Sequence, residues 1–306
     1  MGHARWDPRD WDSYARTTRG RSRSDLFRSR GLHRDLDPKR ITERESRDSA
    51  HNPLSTPIIV GVDVTGSMGM LAESLVKRGL KPLFEEILDR RPVTDPHVMA
   101  MAIGDAWCDQ APLQATQFEA DISVARQIQD LWIEGGGGGN SYESYNLPWY
   151  FAATKTISDA WEKRRKKGYL FTVGDEPCPP VLEAKHIRSV FGEGMQYDMP
   201  TEDVLAMVER TYEVFHVVVE QGSYARSHLD EVMDSWMPVL GQRVLRLSDH
   251  ERLSEVIVSA IEVMEGGNVG DVAASWSRET SDVVAKAIAP LGYRAPRIGS
   301  DGTVHL

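Results

Sequence analysis

The chain has 306 residues, 41% hydrophobic and 27% charged, which is the composition of a folded protein with room for a sizeable core and not that of a disordered or fibrous one. No apolar run is long enough to span a bilayer, and the first residues lack the basic-then-apolar order of a secretory leader, so a cytoplasmic chain with no membrane segment is expected. The net charge of -10 is unevenly placed: residues 1–50 hold 13 Lys and Arg against 9 Asp and Glu, which leaves 23 against 37 in the remainder, a basic segment ahead of an acidic body.

From Met1 to about Asn52 the sequence is polar, with Trp6, Trp11, Tyr14, Leu26, Phe27 and Leu32 too sparse to build a core, and it reads as an extended arm (1–52). Its arginines alternate with aspartates and no nucleic-acid motif accompanies them, so nucleic acid is not the favoured partner. Two indoles within Trp6-Asp-Pro-Arg-Asp-Trp11 call for a surface that accepts them, on this domain or on a neighbouring subunit, which would mean self-association through the arm.

Order is expected from Pro57. Ile58 to Val62 is a short continuous apolar run, the mark of a strand buried on both faces of a parallel sheet. Apolar residues from Leu71 to Leu88 recur at helical spacing, with a kink expected at Pro82. His97 to Ile103 follows as a strand, Gln114 to Phe118 as an edge strand, Ile122 to Trp132 as a helix, then a glycine run from Gly135 to Gly139. A helix from about Tyr142 to Trp161, a strand from Tyr169 to Val173, helices near Val181 to Val190 and Thr201 to Tyr212, and strands Val214 to Val219 and Arg243 to Leu247 complete the body (53–266). The basic run Lys163 to Lys167 ends a helix, where cations oppose the helix dipole favourably. A helix from about Val272 to Ile288 lies in the C-terminal segment (267–306). Strands alternating with helices predict an α/β fold: three layers, doubly wound, with a mainly parallel sheet covered on both faces.

Ligands of such sheets bind beyond the carboxyl ends of the strands. The first strand runs into Asp63-Val-Thr65-Gly-Ser67, one carboxylate and two hydroxyls on alternate positions of a tight turn, and the strand at 169–173 runs into Gly174-Asp175-Glu176. These are hard oxygen donors of the kind that suit Mg²⁺ or Mn²⁺. Asp105 and Asp109 leave another strand at the same edge and read as groups at the rim or behind the ligands, or equally as plain solvated loop residues. Asp63, Asp175, Thr65 and Ser67 could equally cap the helices that follow them. None of the nine histidines pairs with another at ligand spacing, and Cys108 and Cys178 read as two free thiols.

At Asp63, Thr65, Ser67 and Asp175 the sequence resembles the von Willebrand factor A family, whose metal-ion-dependent adhesion site opens with Asp-x-Ser-x-Ser after the first strand. Thr65 stands for the first serine. The resemblance covers roughly residues 55 to 265. Its middle loop, Gly135 to Gly139 followed by Asn140-Ser-Tyr-Glu143, is similar to the variant found beside α-kinase domains. Ser141 could coordinate directly, or Asn140 or Glu143 could hold a bound water. The resemblance implies a Rossmann-like fold and a non-enzymatic module whose ion is completed by an acidic side chain of a protein partner. It also permits a MoxR-type AAA ATPase as that partner. The competing readings are a metal-dependent phosphohydrolase, which would need a carboxylate where Thr65 stands, and a structural assembly protein with a decayed metal site. No P-loop is present.

Overall fold

The computed structural model describes residues 6–18, 20, 22, 25, 27, 29–68, 74, 81–134, 142–292, 297–298 and 304–305. Among the described residues the strands run in the order β1 (Arg44–Ser46), β2 (Thr56–Asp63), β3 (Pro96–Ile103), β4 (Leu113–Ala115), β5 (Thr156–Ser158), β6 (Gly168–Gly174), β7 (Val181–Leu182), β8 (Met199–Pro200), β9 (Tyr212–Val219) and β10 (Val244–Leu247). A short pairing of residues 297–298 with 304–305 follows them. The central sheet has six strands in the order β10-β9-β6-β2-β3-β4. All neighbours run parallel except β4, which pairs antiparallel with β3 at one edge.

Every residue of β2, β3 and β6 is buried, as continuous apolar runs require when helices cover both faces. Alternate residues then serve different cores. Ile58, Val60 and Val62 of β2 join Phe171, Val173, Phe215 and Val217 on one face. Ile59 joins Met99, Leu170, Val214 and Val218 on the other. The helices Lys81–Arg90, Ser123–Ile128, Leu253–Met264 and Arg278–Ile288 cover the first face, and Asn146–Lys155, Ala184–Phe191, Thr201–Val208 and Ala225–Leu240 cover the second. The chain is thus a three-layer α/β fold with a mostly parallel sheet. Among the described residues no helix is long and apolar enough to cross a membrane.

The arm departs from the extended form expected of it. Pro8–Thr18 is an amphipathic helix with Trp11 and Tyr14 buried. Trp6 stacks on Phe84 at 5.3 Å between ring centroids and 5° between planes, and Trp11 packs on the same ring. Tertiary burial of the indoles supplies the order that an isolated polar segment lacks. Further on, β1 pairs in parallel with β5, Arg44 opposite Thr156 and Ser46 opposite Ser158. That pairing explains a second difference. The single helix expected from Tyr142 to Trp161 is broken at β5, where Thr156 bonds back to the Ala152 carbonyl at 2.7 Å and Ser158 caps a new helix, Asp159–Arg164.

The seam continues through ions. Asp48 of the arm accepts two hydrogen bonds from Arg164, at 2.8 and 3.1 Å, and one from Lys163 at 3.2 Å. Arg47 binds Asp159 at 2.9 Å and also Glu162. The basic run therefore holds the arm in addition to ending a helix.

Other boundaries moved by smaller amounts. The edge strand and the helix after it are shorter than expected, Leu113–Ala115 and Ser123–Ile128. Val181–Leu182 is strand, paired with Met199–Pro200, and its helix starts at Ala184. The helix expected from Val272 to Ile288 is two, Val269–Ala274 and Arg278–Ile288, broken where the Trp276 indole donates to Ser259 at 2.8 Å under the Arg90 guanidinium. The first half of the helix expected from Leu71, the glycine run, Asn140 and Ser141 lie outside the described residues, and the kink expected at Pro82 falls at that boundary.

Candidate metal centre

The chain leaves β2 for β3 on one side and β6 for β9 on the other, so the sheet's switch point, where α/β folds open a crevice, lies between the carboxyl ends of β2 and β6. Asp63 is the last residue of β2 and Asp175 follows the last residue of β6. Val62 is in register with Val173, so the two acids emerge at nearly one level. Both are fully buried.

Asp63 is held on both oxygens. Its Oδ1 accepts from the Thr65 backbone N–H at 2.8 Å and from the Thr65 hydroxyl at 2.6 Å, and its Oδ2 accepts from the Tyr145 hydroxyl at 2.9 Å. A tight turn follows, closed by the Met68 N–H on the Thr65 carbonyl at 3.0 Å. Because the Thr65 hydroxyl gives its hydrogen to Asp63, its lone pairs are left to accept, none of them used by a described residue, and Oδ2 of Asp63 keeps one acceptor site. Ser67 lies in this turn, Gly66–Met68, but its side chain is outside the described residues. The capping alternative for Asp63 is met only locally, through Thr65 of its own turn. Asp175 accepts from the Tyr224 N–H at 2.9 Å, at the start of the helix Ala225–Leu240.

Two glycines make this arrangement possible. A Cβ on Gly174 would stand 2.1 Å from the Tyr145 hydroxyl, and one on Gly222 would stand 2.2 Å from the Asp175 Cβ. Tyr145 is further fixed by edge contact with His216 at 4.9 Å, and His216 stacks on Trp236 at 3.7 Å. Burial holds His216 well below the usual imidazole range, so it packs as a neutral ring.

Glu143 and Glu176 close the acidic group. Glu143 is 3% exposed, and its Oε2 has no hydrogen-bond partner among the described residues. Burial, then the charges of Asp63, Glu176, Asp105 and Asp109, push its pKa up. Burial also raises Asp63, and the charge of Asp175 adds to the rise, against the hydrogen bonds from Thr65 and Tyr145. Glu176 is pushed up to about 8 by burial and by Asp63, Asp175 and Asp105. Asp105, expected at the rim or behind the ion's ligands, is 1% exposed: its oxygens accept from the Trp107 N–H at 3.0 Å and the Cys108 thiol at 3.2 Å, which occupies it within its own turn. Asp109 accepts from the Asp105 N–H at 2.8 Å and is half-buried.

These residues fit a hard divalent cation. A buried carboxylate oxygen without a donor, surrounded by other carboxylates, is unfavourable unless it takes up a proton, which is what its raised pKa describes, or a positive charge stands among them. Among the described residues no three His, Cys, Asp or Glu side chains are placed to hold an ion by themselves. An ion held here would draw on hydroxyl oxygens beside the carboxylates, and Thr65 is positioned to supply one. Sequence reasoning did not find Tyr145, Gly174, Gly222 or the Tyr224 N–H. Gly222, at the exit of β9, carried the one legible signal, a glycine where backbone and side chain approach closely.

The raised acids set a pH dependence. A carboxyl whose folded pKa exceeds its unfolded value binds more protons in the native state, so its contribution is fully present below about pH 4 and is lost as pH rises toward the folded value. For Glu176 the window runs from the ordinary 4.5 to about 8. Asp48, held down by Arg164, Ser55 and Lys163 against its own burial, acts oppositely and withdraws stability in strong acid. In metal-free protein the melting temperature is expected to peak near pH 5 and to fall by roughly 5 °C or more toward pH 9, with added Mg²⁺ flattening the decline. Melts that rise steadily from pH 5 to 9 without metal would contradict this electrostatic picture.

No protein-family model matches the chain, and no curated protein matches it in sequence. Solved structures with a similar fold include the pilus adhesin SpaC from Lactobacillus rhamnosus GG, at 10% identity over 78% of this chain with a TM-score of 0.45. The conserved hypothetical protein BatB from Bacteroides thetaiotaomicron is similar over 69% of this chain and 100% of its own, at 11% identity and a TM-score of 0.39. A von Willebrand factor type A protein from Catenulispora acidiphila is similar over 69% of this chain and 43% of its own, at 10% identity and a TM-score of 0.34. The chain spans 31% of the adhesin's length. At scores below 0.5 and identities of 10 to 11%, these likenesses transfer no function to this chain.

Proposed function

We propose that the chain is a non-enzymatic protein-binding module of von Willebrand factor A type, in which Asp63, Thr65, Ser67 and Asp175, with Ser141 from the glycine loop, hold one Mg²⁺ or Mn²⁺. The observation that supports it is the convergence of two fully buried aspartates at the sheet's switch point, beside a threonine hydroxyl that donates to Asp63 and so turns its lone pairs away from it. The ion would supply a coordination position for an acidic side chain of a protein partner. A MoxR-type AAA ATPase is a partner the resemblance permits.

The chain's own residues divide the work. Tyr145 and Thr65 fix the Asp63 carboxylate, Gly222 admits Asp175, and Glu143 and Glu176, which hold their protons more tightly than ordinary carboxyls beside Asp105, would release them to a bound cation. Asn140 and Glu143 are the candidates to hold a bound water. For a phosphohydrolase, the position two residues after Asp63 would have to carry an acid, and Thr65 brings only a hydroxyl already engaged with Asp63.

The test is capture on immobilised chain in Mg²⁺ and in chelator, with Asp63→Asn as control. Proteins retained in Mg²⁺ should elute with chelator and be absent from the variant. Equal retention in all three conditions would remove the ion from the reading.

A further inference from the structure

A cleft of about 630 Å³ lies where the arm, around Arg34 to Arg44, faces Gln117, Gln127 and Asp130 of the body. None of the metal-site residues lines it. That volume is within the range of small-molecule sites. Arg44, at the start of β1, is 7% exposed and forms part of the lining. Its Nη2 donates to the carbonyl oxygens of Asp35 and of Ala115, the latter at 3.1 Å. Its buried Nε meets no acceptor, and no ion pair joins it to a carboxylate among the described residues. Burial draws its pKa down to about 10, with the charges of Asp35 and Glu119 offsetting only part of the effect.

A buried guanidinium with an N–H left without an acceptor is less favourable than one fully paired. Two carbonyl bonds explain why Arg44 fastens the arm, but they leave its Nε–H without an acceptor. Two more cations, Arg34 and Arg40, stand exposed on the same wall. Asp35, Glu43 and Asp130 also line the cleft and oppose a ligand of high negative charge. The fit is therefore to one anionic group and not to a polyanion.

We propose that this cleft binds a small molecule through a single oxyanionic head, carboxylate or phosphate, received by the Arg44 guanidinium with Arg34 and Arg40 at the rim. Its remainder would rest against Leu36 and Ile41. Because Arg44 ties the arm to β4 and begins the strand that pairs with β5, a bound anion would also tighten the arm's seat.

The experiment follows the arginine Nε–Hε signals of the full ¹⁵N-labelled chain during titration with sodium acetate, inorganic phosphate and citrate, with sodium chloride at matched ionic strength as control. The Arg44 signal is assigned by its loss in Arg44→Lys. Acetate or phosphate should shift it saturably, with a Kd in the millimolar range of a fragment-sized ligand. Whichever of the two binds more tightly names the head group, and citrate should be weaker than that one. Arg34→Gln, an exposed change that leaves the arm's anchors in place, should weaken binding about threefold or more. No saturable shift up to about 50 mM of either anion, shifts reproduced by chloride, tightest binding by citrate, or an affinity unchanged in Arg34→Gln would each overturn the proposal.

Discussion

Asp63→Asn is expected to abolish Mg²⁺ and Mn²⁺ binding while leaving the fold intact. Asparagine matches the shape of the side chain and keeps a carbonyl oxygen to accept from Thr65, so the turn after β2 loses little. The charge is what disappears. In the wild type that carboxylate is fully buried among Asp175, Glu143 and Glu176, where a cation has most to neutralise. Without metal, the variant should be as stable as the wild type or more so, because an amide is less costly to bury than a carboxylate facing others. Calorimetry should show metal affinity weakened by a factor of about 100 or more, roughly 2.7 kcal/mol. A variant that binds either ion as well as the wild type, or a wild type that binds neither at millimolar concentration, would remove Asp63 from the site.

Trp11→Ala should lower the melting temperature by about 10 °C with no change in mass per particle. Trp11 is fully buried, 5.0 Å from the Trp6 ring and 5.3 Å from Phe84, and it anchors the helix Pro8–Thr18 to the first core. Truncating a buried indole removes its transfer free energy and leaves a cavity, together about 3–5 kcal/mol, and a chain of this size loses a few degrees per kcal/mol. Light scattering separates this arm's seat on its own domain from a seat on a neighbouring subunit. A falling mass per particle would place the arm across subunits, and an unchanged melt would mean the indole carries little of the fold.

How far the sequence could be read depended on the range of the interactions. The strands of the central sheet were legible because burial on both faces demands apolar runs, and such runs are local in sequence: Ile58 to Val62, His97 to Ile103 and Tyr169 to Val173 all sit inside observed strands. The helix broken at Thr156 was not legible. Residues 142 to 161 are apolar and polar in nearly helical proportion, and the break is decided by Arg44 to Ser46, more than a hundred positions earlier in the chain.

By itself the sequence determined the fold class and the positions of Asp63, Thr65 and Asp175 at strand exits, because alternation of elements and the placement of acids after apolar runs are short-range properties. Only the tertiary structure decided that Tyr145 is the partner of Asp63, that Asp105 turns inward, and that the arm is a helix and a strand docked on this domain. The physical reason is common to all three. Each depends on burial and hydrogen bonding between residues distant in the chain, and a polar residue's partner is fixed by the packing that brings it near, not by its neighbours in sequence.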